Sequence, residues 1–342
     1  MNTLLKTAAI ALSCLLLLPV NAQAEKEIKW PKRLVMAVSM GGGPGYLINA
    51  SIAQFIEKNT PIERVIMQPM GGPSVWLPRM AKGQVDLAQH NGPDIVDAMF
   101  ARGSYKGTEP AVFVRTLIPG SMAHFIVHAT PDSGIHTIAD LKGKVVYTKD
   151  PGNPMFEELT NLLLSTEGMT QKDLKASMIR VNVGETTGAL IEGRADASIS
   201  PSQASMVMEI RQAKGECLTI GLTDEEAAKI KDKLPDGYFL MDLPANWDAV
   251  KNTEPMKNVL TFKNNLYCSS KMDPEVVYEL SKLLIERRSE WDHVSAKAKQ
   301  WGHVTDDTPP LHEGAMRFYR EHGDLTPENE ARMNKILAEL PK

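Results

Sequence analysis

The groups in this chain best placed to do chemistry are backbone amides at glycine-rich turns. Gly41-Gly42-Gly43-Pro44-Gly45-Tyr46 breaks an apolar run from Leu34 to Val38, and Ile48, Ile52, Phe55 and Ile56 then return at helical spacing. Gly71-Gly72-Pro73-Ser74 and Gln89-His90-Asn91-Gly92-Pro93-Asp94 end two more short apolar runs. Asp150-Pro151-Gly152-Asn153-Pro154-Met155 repeats the pattern further along the chain. A strand that stops in glycines before a helix leaves N–H groups unpaired and presents the positive end of a helix dipole, which suits an anionic or strongly accepting group. A tight turn with no ligand would need the same glycines. Repetition favours binding: strands that alternate with helices run parallel, so their turns collect along one sheet edge. Ser74, His90, Asn91 and Asn153 are polar side chains within those turns, whereas Trp76 is either a ligand contact or ordinary helix packing.

Other chemistries find less support. Gly41-x-Gly43 begins a dinucleotide fingerprint, but Tyr46 stands at its third glycine, and no acidic residue stands where it would hold a ribose, although Glu57 and Glu63 lie nearby. A phosphate loop lacks its Gly-Lys-Ser/Thr, so no cofactor is expected. His124 and His128 are four apart, but Phe125, Ile126 and Val127 between them read as strand, where two histidines share a face without converging on a metal. Ser74 has no nucleophile elbow, and the carboxylate pairs Glu157-Glu158 and Asp306-Asp307 are adjacent and diverge. The chain is expected to be a binding protein without metal or catalysis, with a secreted hydrolase as a minor alternative.

The elements that must hold these turns begin after a leader. Lys6, the apolar run Ala8 to Val20 and Ala22-Gln23-Ala24 have the form of a cleavable signal peptide, 1–24, which directs the product to the periplasm. Some 318 of the 342 residues then remain, long enough for two lobes. Removing Lys6 moves the formal charge from −4 to −5, too mild to suggest nucleic acid or an anionic membrane surface as partner. Cys217 and Cys268 remain, either as one disulfide or as two buried thiols.

Short apolar runs at 64–67, 85–88, 145–147, 178–183 and 197–200, the last ending in Pro201, read as strands. Helical patterns lie between them. The fold class expected is α/β: a two-lobed clamshell, each lobe a mostly parallel sheet flanked by helices, with a ligand cleft between. The lobes are expected at 25–128 and 129–258, with 259–342 returning to the first lobe. Leu243-Pro244-Ala245-Asn246-Trp247 is either a loop over the cleft or a packed surface connection.

The order of these pieces resembles the TAXI family of TRAP-transporter solute receptors. The resemblance rests on the glycine loop at 41–46, GGPSVWLPRMAKGQVDLA at 71–88, IADLKGKVV at 138–146, DPGNP at 150–154, LIEGRADASISP at 190–201 and PPLHEGAMRFYRE at 309–321. It implies a type II periplasmic-binding-protein fold, a monomer that captures a small organic acid, and delivery to a TRAP-type membrane permease. A receptor that feeds a membrane sensor is the alternative. The ligand-binding residues it implies are Gly42, Gly43, Pro44, Gly45, Tyr46, Gly72, Pro73, Ser74, Trp76, His90, Asn91, Gly152, Asn153, Pro154, Met155 and Pro201. Where the family usually has small hydroxyl residues, this chain has Pro44, Pro73 and the Asn153-Pro154-Met155 run, and Trp76 replaces a usual Asn. Proline removes a donor and methionine offers an apolar surface, so the ligand is expected to have an apolar or aromatic portion.

Overall fold

A computed structural model of the chain describes residues 28–39, 44–180, 182–248, 250–291 and 300–341. The expected leader and Gly41, Gly42 and Gly43 lie outside the described residues. In chain order, the first half comprises β1 (Arg33–Ser39), α1 (Pro44–Asn59), β2 (Arg64–Met70), α2 (Pro73–Ala81), β3 (Leu87–Asn91), α3 (Gly92–Met99) and the long β4 (Val114–Ala129). There follow β5 (Val145–Lys149), α4 (Pro154–Ser165), β6 (Ala176–Ile179), α5 (Val183–Ile191), β7 (Ala197–Pro201), α6 (Ala204–Lys214), β8 (Leu218–Ile220), α7 (Asp224–Ile230) and β9 (Phe239–Leu243). The long β10 (Met256–Ser269), α8 (Pro274–Glu286), α9 (Glu313–Glu321) and α10 (Pro327–Ala338) complete the chain. Among the described residues no helix is long and apolar enough to cross a membrane.

The strands run in the order β2-β1-β3-β10-β4-β7-β5-β6, with β8 added to β4 and β9 to β10. At one end β1 pairs parallel with both β2 and β3; at the other β5 pairs parallel with both β6 and β7. The long strands β4 and β10 run antiparallel to each other between these triads. The two triads are built alike. A helix ends at a left-handed glycine, Gly83 or Gly193, and three residues later an aspartate grips the first strand of its triad. Asp86 accepts from Val35 N–H at 2.7 Å, and Asp196 accepts from Val145 N–H at 2.8 Å. The separation is 51 residues in both cases.

Each triad has its own core, and β4 and β10 pass from one to the other. Leu117 and Ile118 of β4 and Leu266 and Cys268 of β10 pack with α1, α8 and α9. Ala123, Phe125, Val127 and Ala129 of β4 and Leu260 and Phe262 of β10 pack instead with α4 and α7. The change falls at Gly120 and Asn264, where the two strands touch. A Cβ on Gly120 would stand 1.9 Å from the Asn264 carbonyl, the register slips between Lys263 and Asn265, and Gly120 N–H donates to Asn265 Oδ1 at 3.1 Å. Two strands shared by two cores make the molecule a two-lobed clamshell.

Two open questions close here. Cys217 and Cys268 are separate free thiols in different cores, and burial raises both, Cys217 to about 12. Trp247 is the packed connection and does not line the cleft: its indole N–H donates to His124 Nε2 at 2.9 Å, and it lies against the small cluster of Ile126, Leu243 and Val259.

Candidate functional site

Two triads of parallel strands, one from each lobe and opposite in sense, end at one cavity of about 200 Å³. Val38 of β1, Met70 of β2, and Gln89 and His90 of β3 line one side. Asp150 just after β5, Arg180 just after β6, and Pro201 of β7 with Ser202 and Gln203 line the other. Ala123 of β4 and Phe262 and Asn264 of β10 come from the crossing strands. Ligands of open α/β sheets bind at such carboxyl edges because strand ends free their backbone groups there.

The cavity has a charged corner. Arg180 Nη2 bonds the Asp150 carboxylate, and both side chains are largely buried. Asn153 Nδ2 donates to Asp150 Oδ1 at 2.9 Å and to the Gly71 carbonyl at 3.1 Å. Asp150 therefore has a partner on each oxygen, whereas the other guanidinium N–H groups of Arg180 have none among the described residues. The guanidinium carbon lies 5.9 Å from the Phe156 ring centre, which holds the cation over an aromatic face.

An aromatic wall adjoins that corner. Trp76 meets His90 edge-on at 6.5 Å, His90 lies 6.3 Å from Phe156, and Phe156 lies 6.0 Å from Phe262. His90 is fixed from behind: its Nε2 bonds the buried Asp94 carboxylate. A carboxylate on Nε2 makes that nitrogen the donor. Asn91 stands one layer deeper, its Oδ1 capping α3 by accepting from Asp94 N–H at 2.8 Å and also accepting from Tyr238 O–H at 3.1 Å. Among the described residues the side chains bonded to His90 are those of Asp94 and Asn91. On the opposite side His128 Nε2 reaches Ser202 Oγ at 3.3 Å, and Gln203 Oε1 is buried without a partner.

Over this cavity the two lobes touch. A Cβ on Gly72 would stand 2.1 Å from the Gly152 carbonyl oxygen, so only glycine allows the approach. Ser74 Oγ donates to the same carbonyl at 3.1 Å. Further along, Ser104 Oγ donates to Glu158, and a Cβ on Gly237 would meet the Pro93 ring at 2.8 Å. The lobes are closed on one another.

Of the residues expected to bind ligand, Gly45, Gly72, Trp76, His90, Asn153 and Pro201 line the cavity. Ser74 and Gly152 lie at the lobe-to-lobe contact. Asn91 is a helix cap behind His90, Tyr46 packs against the first-lobe core, and Met155 is buried in the second-lobe core. Pro44, Pro73 and Pro154 each begin a helix, a position where the missing N–H has no intrahelical partner to lose. These prolines and Met155 thus have structural explanations, and the apolar character of the site comes instead from Trp76, Met70, Phe156 and Phe262. Gly42 and Gly43 lie outside the described residues. Asp150, Arg180, Gln203 and Phe156 were not singled out from sequence. Both ions stand one residue past the end of a parallel strand, β5 for Asp150 and β6 for Arg180, ends that the apolar runs of the sequence do not mark.

Comparison with known proteins agrees with this architecture. Periplasmic binding protein BugD superposes with a TM-score of 0.54 at 13% identity, over 90% of this chain and 97% of that chain. The alkanesulfonate-binding protein SsuA from Xanthomonas axonopodis pv. citri, bound to MOPS, gives 0.44 at 14% identity, over 91% and 85%. The likeness to BugD carries the periplasmic-binding-protein fold. The model of the NMT1-like family matches residues 36–323, from within β1 to just past α9, and the chain belongs to that family.

Proposed function

We propose that the protein is an extracytoplasmic solute receptor of the TAXI group, acting in the periplasm as a monomer and handing a small organic acid to a TRAP-type permease. The contact of Gly72 with Gly152 above a cavity that holds a half-engaged guanidinium is the observation that carries this reading. A ligand carboxylate takes the spare donors of Arg180, and an apolar or aromatic body lies against Trp76 and Phe156. Lobes at 25–128 with 259–342, and at 129–258, close about β4 and β10, bending where those strands change core near Gly120 and Asn264. The ligand shifts the open and closed populations because it touches both lobes only when they are shut.

A thermal-shift screen of residues 25–342 against organic acids tests this, since a molecule that binds the native state raises its apparent stability. At least one acid with an apolar body is expected to raise Tm in the wild type and fail to do so in Arg180→Ala. A screen in which no acid does so, or in which Arg180→Ala responds equally, contradicts the proposal.

A further inference from the structure

We infer that Asp150 sets the charge of the ligand, so that the cavity accepts an acid with a single carboxylate and a hydrogen-bond-donating second group and rejects dicarboxylates. This rests on the receptor reading of the same cavity. Arg180 and Asp150 are both largely buried, line the cavity and bond each other, so their formal charges cancel before any ligand arrives. One incoming carboxylate can use the spare guanidinium donors, which leaves two carboxylates around one guanidinium. A second ligand carboxylate would add another negative charge beside the largely buried Asp150, where repulsion is screened less than in bulk water.

The rest of the cavity wall does not compensate. Among its described residues Arg180 is the only Arg or Lys, and His90 is already engaged by Asp94. Gln203 Oε1, as its amide is oriented, is a buried acceptor without a partner among the described residues. It calls for an N–H or O–H on the ligand, and an anion there would be repelled.

Isothermal titration of residues 25–342 tests this with matched hydroxy-acid pairs that differ by one carboxylate: 2-hydroxy-3-phenylpropionate against 3-phenylmalate, and 2-hydroxy-4-methylpentanoate against 3-isopropylmalate. The wild type is expected to bind at least one monoacid ten times or more tighter than its diacid partner. Asp150→Asn, which still offers Asn153 an acceptor, is expected to shrink that ratio at least tenfold by admitting the diacid. Equal wild-type affinity for both members of a pair overturns the inference and leaves the receptor reading standing, as does a ratio unchanged in Asp150→Asn. The wild-type ratio decides by itself if the variant does not fold. Failure of all four acids to bind overturns the inference and leaves the receptor reading to the thermal-shift screen.

Discussion

Gly72 and Gly152 approach so closely across the cleft that neither can carry a side chain: a Cβ on Gly152 would lie 1.8 Å from the Gly71 carbonyl oxygen, and one on Gly72 would lie 2.1 Å from that of Gly152. Gly72 also has φ of 144°, so its replacement would strain the backbone as well as the contact. Gly152 has no such φ and isolates the contact. Gly152→Ala is expected to leave the melting temperature of the unliganded protein unchanged. It should weaken ligand binding roughly tenfold or more, from the 1–3 kcal/mol that overpacking costs in the closed state alone. Titration beside a melting curve checks both halves of the statement, and full affinity in the variant would remove the contact from the mechanism.

Trp76 is a wall residue with a packed body, being almost fully buried while its edge meets His90. Trp76→Phe keeps an aromatic ring and most of the packing but shortens the wall. Affinity for an aromatic acid should fall about threefold to tenfold, matching the 0.5–1.5 kcal/mol of an aromatic pair, with acetate-sized acids unaffected. Equal losses for both kinds of acid would place Trp76 in the core only.

The aspartates that grip the first strand of each triad, Asp86 on Val35 and Asp196 on Val145, hold equivalent places in the two lobes. Asp86→Ala and Asp196→Ala should each cost about 1–3 kcal/mol in urea unfolding, since each leaves a strand N–H without its acceptor. A variant that unfolds at the wild-type midpoint would show that its clamp is replaceable.

His128 is fully buried on β4, and desolvation lowers its pKa from 6.5 to about 3. The unfolded chain takes up this proton at higher pH than the folded one, so the histidine costs no stability above about pH 6.5. Below that pH it removes about 1.4 kcal/mol per unit until the folded pKa is reached. His128→Phe, which cannot be protonated, should flatten the fall of stability between pH 6 and 4 relative to wild type, as read by denaturant titration at each pH. Parallel slopes for the two proteins would refute this assignment.

The glycine turns, the alternation of strands and helices, and the apolar spacing of α1, α4 and α8 are local features, so the two-lobed plan was legible in the residues. Long-range consequences were not. The strand expected at 178–183 stops at Ile179, because Asn182 caps α5 by accepting from Glu185 N–H, and that early stop leaves Arg180 at the cavity edge. As the inner part of a longer strand, Arg180 gave no sign of facing a ligand. Met155 read as an apolar lining because nothing local distinguishes a residue facing the cleft from one a turn away facing the core. Asp150 was read as part of a turn, and its partner Arg180 lies 30 residues further on.

The most direct test of the central claim is small-angle X-ray scattering of residues 25–342, with and without the acid that stabilises the protein best. If the protein works by drawing its lobes together over Arg180, the radius of gyration contracts on ligand addition in the wild type and does not contract in Gly152→Ala. A wild-type radius that stays the same at saturating ligand, with the solution curve of the free protein already matching the closed form, would contradict ligand-driven closure.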